Sequence, residues 1–300
     1  MPSPKEFQPY RTVQANVDNL VRSDLERAAR DIRRRISLLK FKPGIGAQVR
    51  TAQLALVLRQ ISHAIDVLWR VNVAGHTQTG RKAAAQAAED VTQALTRVAY
   101  SALTPDAAQA LSDGFTATAR AGINAAFARV PRDLSSRVYT NAAVTRRWVE
   151  TTIRSGIVSG LSAKELSQDV YKYISPTTPG GASYAAMRLA RTEINNAFHE
   201  QQKAGGNRPG VQATKWNLSE SHPKKDECNV YADHPSGLGK GCYAFGHVPD
   251  KPHPQCFCYL TYVMMPPVDF RAALTRGDFD AEINRRTKLN LERLKQRDSI

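Results

Sequence analysis

"CNVYADHPSGLGKGCYAFGHVPDKPHPQCFC", residues 228 to 258, contains all four cysteines of a 300-residue chain, together with His234, His247 and His253. Thirteen residues separate Cys228 from Cys242 and thirteen separate Cys242 from Cys256, with Cys258 two positions further on. In extended chain, residues two apart project to the same side, so Cys256 and Cys258 can approach one ion together. Cys228 and Cys242 can then close a tetrahedron from the loops, and His253, in "HPQC", is a substitute ligand or a donor behind the ligands. His222, His234 and His247 are further candidates.

The expected ion is a structural zinc. A loop-rich segment of roughly 45 residues has little core of its own, so metal binding would supply much of its folding free energy. Two other readings stay open: two disulfides, or buried free thiols, since the spacing lacks Cys-x-x-Cys knuckles. A catalytic zinc would need an open position and a nearby Glu. Glu220 and Glu227 are close in sequence, but no H-E-x-x-H, phosphate loop, dinucleotide fingerprint or nucleophile elbow occurs.

The flanks set the fold class. "VQATKWNL" (211–218) and "CYLTYVMM" (258–265) are β-branched and aromatic, as in a small sheet. Upstream the pattern is helical. Val17, Val21, Leu25, Ala28, Ile32, Ile36 and Leu39 step by fours and threes, and Leu54, Val57, Ile61, Ala64, Leu68 and Val71 repeat the spacing after "KPGIG". These predict an antiparallel hairpin. The polar "AGHTQTGRK" (74–82) then precedes an alanine-rich helix, Thr104 and Pro105 open the next, and Pro131 closes it. "SAKE" (162–165) is a capping box, and Ser183 to about Ala204 is a strong helix.

The chain therefore reads as mainly α with a small α+β C-terminal module: a long N-terminal helical hairpin, a helical middle, a small zinc-stapled sheet with long loops, and a charged helical tail. The expected boundaries are 1–130, 131–265 and 266–300. No basic start followed by an apolar run opens the sequence, and no apolar stretch approaches a membrane span, so a soluble chain without a signal peptide is expected.

The formal net charge is +15. Between Val21 and Gln60 ten Arg/Lys face only Asp24, Glu26 and Asp31. Such an excess suits a polyanion, and Arg22, Arg27, Arg33, Arg34, Arg35 and Lys40 are the expected contacts to DNA phosphates. Without a base-reading motif, that binding would be insensitive to sequence. Further along, Arg188, Arg191 and Glu193 are expected to form a salt-bridge network tying their helix to the small sheet.

The order of these features resembles the phage head morphogenesis family, minor head proteins similar to the F protein of phage Mu. The resemblance covers about Trp148 to Val263 and is carried by Ala190-Arg191-Thr192-Glu193 and by His253-Pro254-Gln255-Cys256-Phe257-Cys258. Tyr231 stands where many relatives have the second cysteine of a close pair; Cys242 is expected to replace it. The resemblance implies a nonenzymatic virion component in the head interior at the portal vertex, assembled in the host cytoplasm. Its implied partners are the portal protein and double-stranded DNA, with the major capsid or scaffolding protein beside them. Two other functions follow from the cysteine cluster and the charge: a metal-dependent enzyme acting on nucleic acid, and a cellular DNA-binding zinc protein.

Overall fold

The structure is a computed structural model that describes residues 8–38, 47–128, 132–159, 161–177, 180–219, 222, 225–285 and 287–288. Lys40, the "KPGIG" segment, Pro131 and the chain beyond residue 288 lie outside them. In order, the elements are α1 (Gln8–Ser37), α2 (Ala47–Asp66), a π-helical turn (Val67–Val73), α3 (Ala74–Tyr100), α4 (Pro105–Ala126), α5 (Arg132–Val158), α6 (Ala163–Ile174), α7 (Gly181–Gly205), β1 (Val211–Asn217), α8 (Glu227–Asp233), β2 (Cys242–Tyr243), β3 (Tyr259–Met264) and α9 (Pro267–Thr275). The fold is mainly helical, with one small antiparallel sheet near the C-terminus. Among the described residues no helix is long and apolar enough to cross a membrane.

The chain divides into two compact units, both discontinuous in sequence. One comprises Gln14–Gly80 and Val130–Glu193; the other comprises Met1–Val13, Arg81–Arg129 and Ile194–Ile300. We call them the hairpin unit and the sheet unit.

In the hairpin unit α1 buries Val17, Val21, Leu25, Ala29, Ile32 and Ile36, one stripe at helical spacing. Ala29, not Ala28, completes the stripe. Contacts from Arg35 to Gln60 (3.1 Å) and from Asp24 to His76 (2.7 Å) run in opposite directions along the chain, so the two arms are antiparallel, as expected. The second arm departs from its expected register. Its buried positions Leu58, Ile61, Ile65 and Leu68 are followed by Trp69 and Val73, and Leu68 to Val73 is the five-residue step of a π turn. Val71, placed on the apolar stripe by α-helical counting, is therefore 64% exposed. Trp69 turns inward and donates its indole N–H to Thr145 on α5 at 3.1 Å. The polar "AGHTQTGRK" lies inside α3, because His76 pairs with Asp24 and Thr77 is buried; its polar residues serve tertiary contacts and do not form a turn.

The Ser162/Glu165 capping box is present, with Ser162 donating its backbone N–H to the carboxylate at 2.8 Å and Glu165 donating to Ser162 Oγ at 3.3 Å. A Cβ on Gly156 would fall 2.1 Å from Leu166 Cδ2, so α5 and α6 approach too closely for any other residue there without repacking. Trp148 stacks on Tyr173 at 3.7 Å over the same junction.

The sheet unit has strand order β2-β1-β3, antiparallel throughout, with Lys215 opposite Cys242 and Trp216 opposite Leu260. Trp216 and Leu260 are fully buried, and with Tyr243, Val248, Cys228, Cys256 and Cys258 they form one core cluster. A second cluster joins Phe270 of α9 to Ala99 and Tyr100 of α3 and to Phe279. Phe270 stacks on Tyr100 at 5.3 Å, so the start of the tail packs inside its own unit. Gly210 (φ +85°) permits this junction, since a Cβ there would meet Ala99 Cβ at 2.9 Å. Beside it Arg208 and Glu89 form a buried ion pair, and Gln201 donates to the other carboxylate oxygen at 3.2 Å.

Candidate metal centre

The centre is assembled from α8, which follows β1, and from the segment that leads into β3. Asp226 caps α8: its side chain accepts the Cys228 N–H at 2.8 Å, and Asn229 Oδ1 reciprocates by accepting the Asp226 N–H at 3.0 Å. That box places Cys228 in the first turn with its thiol buried. In the segment leading into β3 Gln255 sits at φ +57°, in the left-handed region, and the chain leaves that turn with Cys256 and Cys258 both buried.

Five donor atoms fall into two overlapping groups. Cys228 Sγ lies 3.5 Å from Cys256 Sγ and 3.5 Å from His253 Nε2, and Cys258 Sγ lies 3.8 Å from His222 Nδ1. They form two groups able to hold a metal ion, His222/Cys228/Cys258 and Cys228/His253/Cys256, which share Cys228. Metal–sulfur bonds of about 2.3 Å and metal–nitrogen bonds of about 2.0–2.1 Å at tetrahedral angles put sulfurs about 3.7 Å apart and sulfur about 3.5 Å from nitrogen. The observed separations of 3.5, 3.5 and 3.8 Å lie close to those edges.

Both imidazoles face the thiols. His253 Nδ1 lies 3.1 Å from the Pro254 carbonyl, and its Nε2 faces both Cys228 Sγ at 3.5 Å and an Asp226 carboxylate oxygen at 3.2 Å. His222 Nε2 faces Asn229 Oδ1 at 3.0 Å, the oxygen already accepting from Asp226, and an Asp226 carboxylate oxygen at 3.3 Å. Its proton is therefore on Nε2 and its Nδ1 lone pair points at Cys258. A ring whose remote N–H is anchored on an oxygen is the usual arrangement of a metal-binding histidine.

Around these donors the sheet unit fixes the ligand backbone. Lys251 donates its ammonium to the carbonyls of Cys256 (3.1 Å) and Cys258, and Asn195 of α7 donates to the same Cys256 carbonyl. Tyr10 holds the Asn195 amide by donating to its Oδ1 at 3.0 Å. His199 faces the Pro249 carbonyl at 2.9 Å, and Gln202 bonds the Leu260 carbonyl at 2.9 Å. Asn195, His199 and Gln202 thus form a polar stripe at helical spacing along one face of α7. Burial pushes the His199 pKa down to about 3, so the ring is neutral.

The thiols are electrostatically coupled. The hydrogen bond Cys256 receives from Cys258 pulls its pKa down to about 5, against burial and with help from the Lys251 ammonium. The same bond, and then burial, pushes Cys258 up. Burial and the Cys256 charge raise Cys228 to about 12. A bound metal deprotonates all of its sulfur ligands.

Of the residues singled out in the sequence, Cys228, Cys256, Cys258 and His253 meet here. Cys242 does not: it lies on β2 opposite Lys215, and its Sγ approaches the Lys240 carbonyl at 3.7 Å. The extra imidazole comes from His222, six residues before Cys228. His234 stacks on Tyr243 at 4.8 Å, and His247 is exposed.

The expected Arg188/Arg191/Glu193 network takes another form. Arg191 pairs with Asp18 of α1 at 2.8 Å and Glu193 with Arg137 of α5, both within the hairpin unit, while Arg188 is exposed. The residues of α7 that reach the sheet are Asn195, His199 and Gln202. On α1, Arg27 pairs with Asp24 (3.4 Å), and Arg34 and Arg35 share Asp31 (2.9 and 2.7 Å). Arg33 lies over the Tyr171 ring at 5.4 Å and Arg22 reaches the Pro176 carbonyl at 3.5 Å.

Compared with known proteins, the chain matches no family model, no curated protein and no solved structure.

Proposed function

We propose that this chain is a structural minor head protein of a tailed phage, in which a zinc ion staples the sheet unit and the arginines of α1 lie along packaged DNA. One observation carries the reading: the motif His253 to Cys258, on which the resemblance to phage head morphogenesis proteins rests, supplies three of the five donors. Zinc fits those donors best, being a borderline-soft ion that takes thiolate and imidazole in tetrahedral geometry. Cys228, Cys256 and Cys258 with one imidazole fill its coordination, leaving no open position for water. That donor set favours a staple over a catalytic centre.

The protein's place in the particle follows from the same reading. It binds the portal protein at one vertex of the head interior, with the major capsid or scaffolding protein as neighbours, and contacts duplex DNA through phosphates. A map of the intact head with density for the fold at the portal vertex is the expected result; its presence only on the outer shell, or its absence, would sink the assignment. Metal content is tested separately on the purified chain, where about one equivalent of zinc and four reduced thiols are expected. Reproducible plasmid nicking that is lost in His253→Ala would favour the nuclease reading instead.

A further inference from the structure

Among the described residues Lys251 is the cation whose side chain is turned into the thiol cluster. Its ammonium caps the carbonyls of Cys256 and Cys258 and lies 5.9 Å from the centre of the Trp216 ring. Among the described residues no carboxylate forms an ion pair with it, unlike Lys203, which holds Asp250, or Lys240, which holds Asp233. An inward-turned ammonium bonded only to neutral carbonyls is expensive to bury unless a negative charge stands nearby. Among the described residues, the groups whose negative charge would act on this ammonium are the thiols, while the Asp226 carboxylate lies against the two imidazoles.

The charge count then becomes specific. Counting the metal and its ligands alone, a divalent ion with three thiolates and one neutral imidazole carries a net charge of −1, which one ammonium offsets. Two divalent ions bridged by Cys228 would carry +1 with the same thiolates, and Lys251 would then add repulsion. We propose, resting on the zinc-staple reading above, that Lys251 is the counter-charge of a single-metal, three-thiolate centre and sets its affinity through charge. It is a positioning residue, not a ligand.

The test uses the full chain loaded with zinc, with affinity measured by competition against a chromophoric chelator and ligation by the sulfur-to-cobalt charge-transfer band after Co²⁺ substitution. Lys251→Gln keeps a donor for the carbonyls but removes the charge, and about 10–100-fold weaker zinc binding is expected, the usual scale for partners just outside a metal's ligands. Lys251→Arg restores the charge and should return affinity to within a few-fold of the parent. Converting one thiolate to a neutral ligand in Cys258→His removes the excess charge. In that background Lys251→Gln should cost little, and a double variant that folds where Lys251→Gln alone does not supports the same conclusion.

Parental affinity in Lys251→Gln, an Arg variant as weak as the Gln variant, additive losses in the double variant, or a double variant that folds no better than the single overturns the role of Lys251. So do two zinc equivalents in the parent chain. A parent chain that binds no zinc overturns the staple reading itself, so the two failures are distinguishable.

Discussion

Asn195 donates its side-chain amide to the backbone carbonyl of Cys256, and Tyr10 fixes the orientation of that amide from the other side. One α7 side chain thus holds a metal-ligand residue by its main chain. Asn195→Ala leaves Tyr10 Oη without its acceptor and weakens the hold on Cys256, so a loss of about 1–3 kcal/mol is expected. The measurement is chemical denaturation of the zinc-loaded chain. Asn195→Asp, which keeps the Tyr10 acceptor but cannot donate to the carbonyl, should lose nearly as much; a neutral effect of both would show that α7 does not support the centre.

The two donor groups share Cys228, and this orders the consequences of removing ligands. Cys228→Ser breaks both groups and should abolish stoichiometric zinc binding. Cys256→Ser or Cys258→Ser leaves one group intact and should weaken binding less. Cys242→Ser should leave zinc content unchanged, because its sulfur joins neither group. His222→Ala and His253→Ala each leave three thiolates and one imidazole, so either alone should keep about one zinc, and the double variant should lose it. Loss of zinc in Cys242→Ser would restore that residue as a ligand.

Arg208 and Glu89 pair in the interior of the sheet unit, 3% and 1% exposed. Removing one partner strands the other charge, and Glu89→Gln or Arg208→Met should destabilise by about 3–5 kcal/mol. Replacing both with apolar residues, Glu89→Leu with Arg208→Met, should recover most of that loss. Equal losses in single and double variants would mean that packing of Arg208 over the Phe115 ring, whose centre lies 5.9 Å away, dominates over charge.

Much of the fold was legible because helix stripes and caps are local. Thr104, Ser162 and the α1 stripe report on neighbours three or four residues away; the structure keeps both caps, and keeps the stripe with Ala29 in place of Ala28. The π turn was not legible, since Trp69 and Val73 face inward only when helix α5 supplies Thr145 and the packing around it. The metal centre was half legible: "HPQCFC" announces two cysteines and a histidine, but whether Cys242 or His222 joins them depends on how β2 pairs with β1. Lys215 opposite Cys242 sets that, and spacing along the chain carries no trace of it. The α7 stripe was misassigned for a related reason. Arg191 and Glu193 are the conspicuous charges, yet the neutral Asn195, His199 and Gln202 can satisfy buried carbonyls without stranding a charge there.

The arginines of α1 are unequal, and their inequality yields the last prediction. Arg34 and Arg35 share Asp31, whose carboxyl they hold below the usual carboxylate range against the opposing effect of burial, and Arg27 lies against Asp24. A phosphate reaching these side chains must compete with a carboxylate already in place. Among the described residues Arg22 and Arg33 pair with no carboxylate and hold a carbonyl and an aromatic face, so their charge is available to an anion. Binding to any duplex should fall steeply with salt, by roughly 0.9 in log–log slope for each phosphate contact. Arg22→Glu with Arg33→Glu should flatten the slope by about two contacts, whereas Arg35→Glu should change it by less than one. A duplex titration across salt concentrations reads this directly, and equal effects at paired and unpaired arginines would mean that DNA meets a different face of the protein.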